Sequence, residues 1–162
     1  MSNSTQMRTA KPGHCADTTA LFPGLSAGTL VLTLDGALPV ENLMPGDRVI
    51  TRDGARTLRG VHVKLQHDTA MIRVSASTLG AEQPEDDMLI PPDQQILIRD
   101  WRAKALKGTH QALVHANRLI DGEYIRAETV SVQRLFRLDF DAAAVIYAGG
   151  LELACNPQTV AA

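Results

Sequence analysis

The chain has 162 residues, of which 44% are hydrophobic and 21% charged, and its formal net charge at pH 7 is -2. That is enough apolar material for one real core and too little charge for wholesale disorder. The slight acidity gives no electrostatic reason for nucleic acid or anionic lipid to bind, and no apolar run approaches the roughly 18–20 residues of a membrane span.

Residues 1–20, "MSNSTQMRTAKPGHCADTTA", are polar and lack the apolar stretch of a secretory leader. They are expected to form a flexible tail, with the folded domain at 21–156 and a short second tail at 157–162. With no leader and no span, the default expectation is a soluble cytoplasmic protein, with export by a non-classical route left open.

From Thr29 the pattern turns β-like. "TLVLTL" is followed by an Asp35–Gly36 turn, and "LPVENL" holds room for one helical turn. Pro45–Gly46 marks the next turn, Arg48–Thr51 a short strand, and Asp53–Gly54 a second Asp–Gly turn. "TLRGVHVKLQ" and "AMIRVSAS" read as two further strands, with one strand core at Met71–Ser75. "TLGAEQPEDDM" is a polar loop. "LIPPDQQILIRD" splits into two strand pieces around Pro91–Pro92, since a proline pair cannot sit inside a central strand. "WRAKALKG" is helical turn or loop, and "QALVHANRLIDG" is either a short helix or a strand and turn. "YIRAETVSVQRLFRLDF" contains two strand candidates, and "AAVIYAGGLELA" closes the chain. The fold class is therefore all-β: about ten short strands with one or two short helical turns.

Little in this pattern carries chemistry by itself. No G-x-x-x-x-G-K-[ST] phosphate loop and no G-x-S-x-G occurs. His62 and His67 are five apart and would face opposite sides of a strand, so they read as rim or surface histidines, and His110 and His115 read the same way. Glu85–Asp87 could gather a cation but suits a solvated loop. The two cysteines, Cys15 and Cys155, form neither a disulfide framework nor a zinc set, and are expected to be free thiols. Trp101, the single tryptophan, is either a binding anchor beside two arginines or a lid on the core. No cofactor and no metal are expected.

The order of the pieces, however, resembles a known family. "GLSAGTLVLTLDGALPVENLMPGDRVITRDG" is similar to the opening of Hint domains, the hedgehog/intein superfamily, and more closely to its bacterial Hint-type branch. The agreement lies at Gly28, Thr29, Thr33, Asp35, Gly36, Pro39, Val40, Glu41, Leu43, Gly46, Asp47 and Val49. Further on, "LIPPDQQILIRDWRAKAL" resembles the stretch around the family's Pro-Asp-His. "LVHANRLIDGEYI" and "LDFDAAAVIYAGGLELA" resemble its later segments, so the likeness runs from about Phe22 to Asn156. It implies a compact all-β horseshoe with pseudo-twofold halves.

Active members of that family cleave their own backbone. A first-position Cys attacks the preceding carbonyl to give a thioester, and a mid-domain His protonates the departing amide nitrogen. Later His or Asp residues assist, and splicing members end in His-Asn. Carried onto this chain, the nucleophile position falls on Gly24, the acid position on Gln94 in Pro92–Asp93–Gln94, and the late His position on Ala143. Cys155–Asn156 has the wrong order for the ending and is followed by Pro157. Glycine cannot attack, and an amide cannot serve as an acid near neutral pH.

The resemblance thus implies a Hint domain degenerate at its autoprocessing positions: a scaffold or binding module whose former cleft takes a peptide or protein partner. The alternative is a self-cleaving domain with a displaced nucleophile such as Ser26, two residues past Gly24 and on its side of an extended segment. Ser26 would attack the carbonyl of Leu25, though its simpler role is a local hydrogen bond. Cys15 sits nine residues too early to take the position. A third reading is a plain structural module in a larger exported system.

Overall fold

A computed structural model describes residues 23–156 of the chain. The tails expected at 1–20 and 157–162, and Cys15 with them, lie outside the described residues.

The strands begin where the sequence alternates. β1 (Leu25–Ser26) is followed by β2 (Leu30–Thr33) and β3 (Gly36–Pro39), then by a 3-10 turn at Val40–Asn42. β4 (Arg48–Thr51) and β5 (Gly54–Thr57) form the next hairpin. The two hairpins repeat one local device. Thr33 Oγ donates to the Gly36 carbonyl at 2.7 Å and accepts from the Asp35 N–H at 3.1 Å. Thr51 does the same with Gly54 and Asp53, at 2.6 and 3.1 Å. In each case the glycine closes the turn with φ +105°, a backbone region costly for any residue with a Cβ.

Two elements are longer than the sequence pattern implies. The pieces expected as separate strands on either side of Gln66–Thr69 are one strand, β6 (Gly60–Val74). Likewise the two candidates after Tyr124 are one strand, β10 (Ile125–Asp139). They pair with each other antiparallel, from Gly60 opposite Asp139 to Val74 opposite Ile125. The register is unbroken along the ribbon, and only Asp68, at φ +46°, and Ser131 opposite it are left out of the ladder. The middle of this ribbon is wetted on both faces, with Val63, Leu65 and Val132 all more than half exposed. The stretch Gln66–Thr69 is polar at every position, so the sequence reads as broken there although the ladder runs on through it.

The remaining elements are β7 (Met88–Ile90), β8 (Gln95–Ile98), helix α1 (Trp101–Lys107), β9 (Ala112–His115), a 3-10 turn at Ala116–Leu119, β11 (Ala144–Ala148) and β12 (Leu151–Cys155). The segment that read as either helix or strand is therefore a strand followed by a turn. The strands form two antiparallel sheets. One has the order β1-β10-β6-β7; the other runs β3-β2-β4-β11-β12-β8-β9, with β5 alongside β4. Val31, Val49, Ile96, Ile146 and Leu153, all fully buried, fill the centre of the larger sheet. Each such side chain contributes about 1.5–3 kcal/mol relative to leaving it in water. The fold is all-β, as expected.

Candidate functional site

Five parts of the chain converge on one cleft. β1 lies on β10 with Leu25 opposite Phe136 and Ser26 opposite Leu135, which brings Pro23 and Gly24 alongside Arg137 and Leu138. The Pro91–Pro92 corner ends in Asp93 and Gln94, delivered to the same place at the start of β8. His115 closes β9 directly opposite Gln95. The end of β12 contributes Ala154, Cys155 and Asn156. The cleft holds about 290 Å³.

Gly24 is buried against the neighbouring strand. A Cβ at this position would stand 2.7 Å from the Phe136 carbonyl oxygen and 3.1 Å from its carbonyl carbon. Backbone atoms cannot swing aside as a side chain would, so the close approach of β1 to β10 is made at a residue with no side chain.

Gln94 is buried too, at 3% exposure. Its Nε2 donates to the Ala154 carbonyl at 2.7 Å and to the Gln95 carbonyl at 2.9 Å. Its backbone is equally committed, with the N–H donating to Pro91 and the carbonyl accepting from the Ala116 N–H. Both amide hydrogens therefore tie the Pro91–Pro92 corner to the edge of β12, a task for which a carboxamide suffices and an acid is not needed.

Around these two positions lie groups with more chemical character. Burial pushes the Asp93 carboxyl above its ordinary range, while the charge of neighbouring His115 pulls it back down. Burial also pushes the Cys155 thiol up to about 12. A thiol held so far above neutral pH is protonated, hence a poor nucleophile. Asn156 Nδ2 donates to Gln95 Oε1 at 3.2 Å, so two carboxamides meet at the rim. His115 is solvent-exposed and faces the cleft. Sequence reasoning left it as an ordinary rim histidine, because only the β8–β9 register, set across an intervening helix, puts it beside Asp93.

Gly24 and Gln94 thus line one cleft. Ala143 does not line that cleft. It sits exposed before β11, in a neighbouring depression with Arg52, Leu113 and Val145, and Asn156 borders both hollows. Ser26 does not share Gly24's cleft either. Its hydroxyl donates to the Leu89 carbonyl at 2.7 Å, and it lines a separate hollow with Met88 and Gly149. The expectation that it would face the same side fails because Leu89 draws it toward β7. The acidic loop at Glu85–Asp87 is held by the backbone: Asp87 Oδ1 accepts from the Ala76 N–H at 2.9 Å. Among the described residues no three His, Cys, Asp or Glu side chains gather as metal ligands, and no helix is long and apolar enough to cross a membrane.

A family model described as a Hint domain matches residues 23–154. The chain belongs to the Hint domain family. Its fold is also similar to solved structures at low sequence identity. A bacterial intein-like domain from Clostridium thermocellum superposes with a TM-score of 0.62 at 18% identity, over 84% of this chain and 99% of that one. The gp41-1 intein gives 0.55 at 13%, covering 84% and 100%. A DnaB intein from Synechocystis gives 0.56 at 9%, covering 85% and 100%. No curated relative matches this Hint domain in sequence. At these identities the structural likeness speaks for the fold.

Proposed function

We propose that this Hint domain does not cleave its own backbone, and that its cleft binds an extended segment of a protein partner. One observation carries the first half: at the position of the family's nucleophile, Gly24, there is no space for a side chain against the Phe136 carbonyl. The acid position supports it, since both Nε2 hydrogens of Gln94 are given to backbone carbonyls. The sulfur that does line the cleft, at Cys155, is held protonated by burial.

The second half rests on what remains when the chemistry is removed. The cleft is concave, and its rim presents the carboxamides of Gln95 and Asn156 and the imidazole of His115. Carboxamides and an imidazole both donate and accept, which suits the alternating N–H and C=O groups of a peptide backbone, and Asp93 and Arg137 add charged groups to the same lining.

Intact mass of the purified full chain, before and after incubation with hydroxylamine or dithiothreitol, tests the first half. One unprocessed species is expected. A fragment ending at Pro23 would overturn the reading, and one ending at Leu25 would place the nucleophile at Ser26. For the second half, amide chemical-shift mapping with candidate extended peptides should perturb Gln94, Gln95, His115 and Asn156. Perturbations confined to another face would count against the cleft.

A further inference from the structure

We propose that the free edge of β6, from Val61 to Asp68, pairs antiparallel with the same edge of a second copy of the chain, about a two-fold axis at Leu65. The edge shares no residue with the Gly24–Gln94 cleft, so the pairing does not depend on the reading given for that cleft.

Over its middle the β6–β10 ribbon is only two strands wide. β1 lies on β10 at Leu135 and Phe136, and β7 lies on β6 at Ile72–Val74. Among the described residues no strand covers the other side of β6 from Gly60 to Met71. A two-stranded ribbon is marginal in water, and an uncovered strand edge is a template for one more strand. The usual protections are thin here: the stretch holds no proline, and Val63 and Leu65 are 56% and 54% exposed.

The contact with β1 fixes which groups this edge presents. The Ala27 N–H donates to the Arg134 carbonyl at 3.1 Å, so that carbonyl points away from β6. Leu65, directly opposite Arg134, is then the other half of a non-hydrogen-bonded pair, and its own N–H and C=O project from the free edge. Strand alternation gives Val63 and His67 the same direction. Asp68, in the left-handed region and outside the ladder, ends the regular edge.

The edge is complementary to itself. With the axis at Leu65, that residue meets the partner's Leu65 and Val63 meets the partner's His67, so every outward N–H and C=O of these three residues finds its counterpart. Lys64 falls opposite the partner's Gln66, and His62 beside the partner's Asp68. Moving the axis to Lys64 sets two ammonium groups opposite each other, and moving it to Val63 sets Lys64 against the partner's His62. Residues 60–68 hold a single lysine and a single aspartate, so their fixed charges cancel and favour neither an acidic nor a basic segment over the edge itself. The contact is isologous: one pairing covers the exposed edge of both molecules and closes there.

Sedimentation equilibrium of the full chain should show a concentration-dependent monomer–dimer equilibrium. Leu65→Asp sets two carboxylates against each other at the axis and should weaken the dimer by about tenfold or more. Because Leu65 is exposed, the circular dichroism of this variant should match that of the parent. The register has its own test in a Cys15→Ser background. A mixture of Lys64→Cys and Gln66→Cys chains should form a mixed disulfide under mild oxidation, since opposite residues of a non-hydrogen-bonded pair stand about 4.5 Å apart at Cα, within disulfide range. Either chain alone should not, because its two cysteines are offset along the strands. A monomer at every concentration, a dimer indifferent to Leu65→Asp, or a disulfide from a single chain in preference to the mixture would overturn the proposal.

Discussion

Gly24 and the Phe136 carbonyl leave no room for a side chain between them: a Cβ would sit 2.7 Å from the oxygen. Any larger residue must push β1 off β10 or distort the strand. Gly24→Ala is therefore expected to destabilise the domain by roughly 1–3 kcal/mol, the usual cost of overpacking a fitted contact. Urea denaturation of both proteins measures it. Equal midpoints with equal slopes would show that β1 yields freely, and the steric argument against a side-chain nucleophile at this position would fall with that result.

Gln94 offers a paired test of structure and chemistry. Gln94→Ala leaves the Ala154 and Gln95 carbonyls without this donor, and should cost about 1–3 kcal/mol. Gln94→His alone should yield no fragment, since it supplies an acid and no nucleophile. Gly24→Cys alone should release little of residues 1–23 with dithiothreitol. Combining Gly24→Cys with Gln94→His should release more, because a positioned general acid is worth roughly 10²–10⁴-fold. Mass spectrometry over time separates these cases, and a single Gly24→Cys that cleaves as fast as the double would show that position 94 is not the acid position.

Cys155 should behave as a slow, neutral thiol. Its folded value near 12 lies above an ordinary value of 9.0, so in that window the folded chain keeps a proton that the unfolded chain gives up. Stability should then fall as pH rises from about 9 toward 12, with no contribution from this group at neutral pH. In a Cys15→Ser background, reaction of the native protein with a disulfide reagent at pH 8 should be far slower than reaction of the urea-unfolded protein. Comparable rates would show an accessible thiolate and would reopen Cys155 as a nucleophile.

Asp93 carries the same sign at lower pH. Burial raises its carboxyl above the ordinary 3.8, so the folded state holds the proton more tightly than the unfolded state does. Between those values stability falls as pH rises, and the penalty persists at neutral pH. Asp93→Asn removes the charge and should raise stability at pH 7, with the gain shrinking below about pH 4. Denaturation at pH 3.5 and pH 7 gives the comparison. A gain of equal size at both would mean that ionisation of Asp93 is not the cause.

How much of this was legible in the sequence depends on how local each feature is. The Thr-x-Asp-Gly hairpins at Thr33–Gly36 and Thr51–Gly54 were readable because their hydrogen bonds join residues two and three apart. The strand Arg48–Thr51 was readable to the residue, since it alternates against a dry sheet face. The order of these pieces also carried the family.

What only the tertiary structure decided involves residues far apart in the chain. β6 and β10 each read as two strands, and only mutual pairing keeps them continuous. Ser26 turns from the cleft because a carbonyl sixty-three residues away accepts its hydroxyl proton. His115 joins Asp93 through the β8–β9 register, and Trp101 stands in solvent because no described segment covers it. The composition of Gly24 is written in the sequence, but its necessity is not. That comes from the distance to Phe136 on another strand, which no pattern of neighbouring residues encodes.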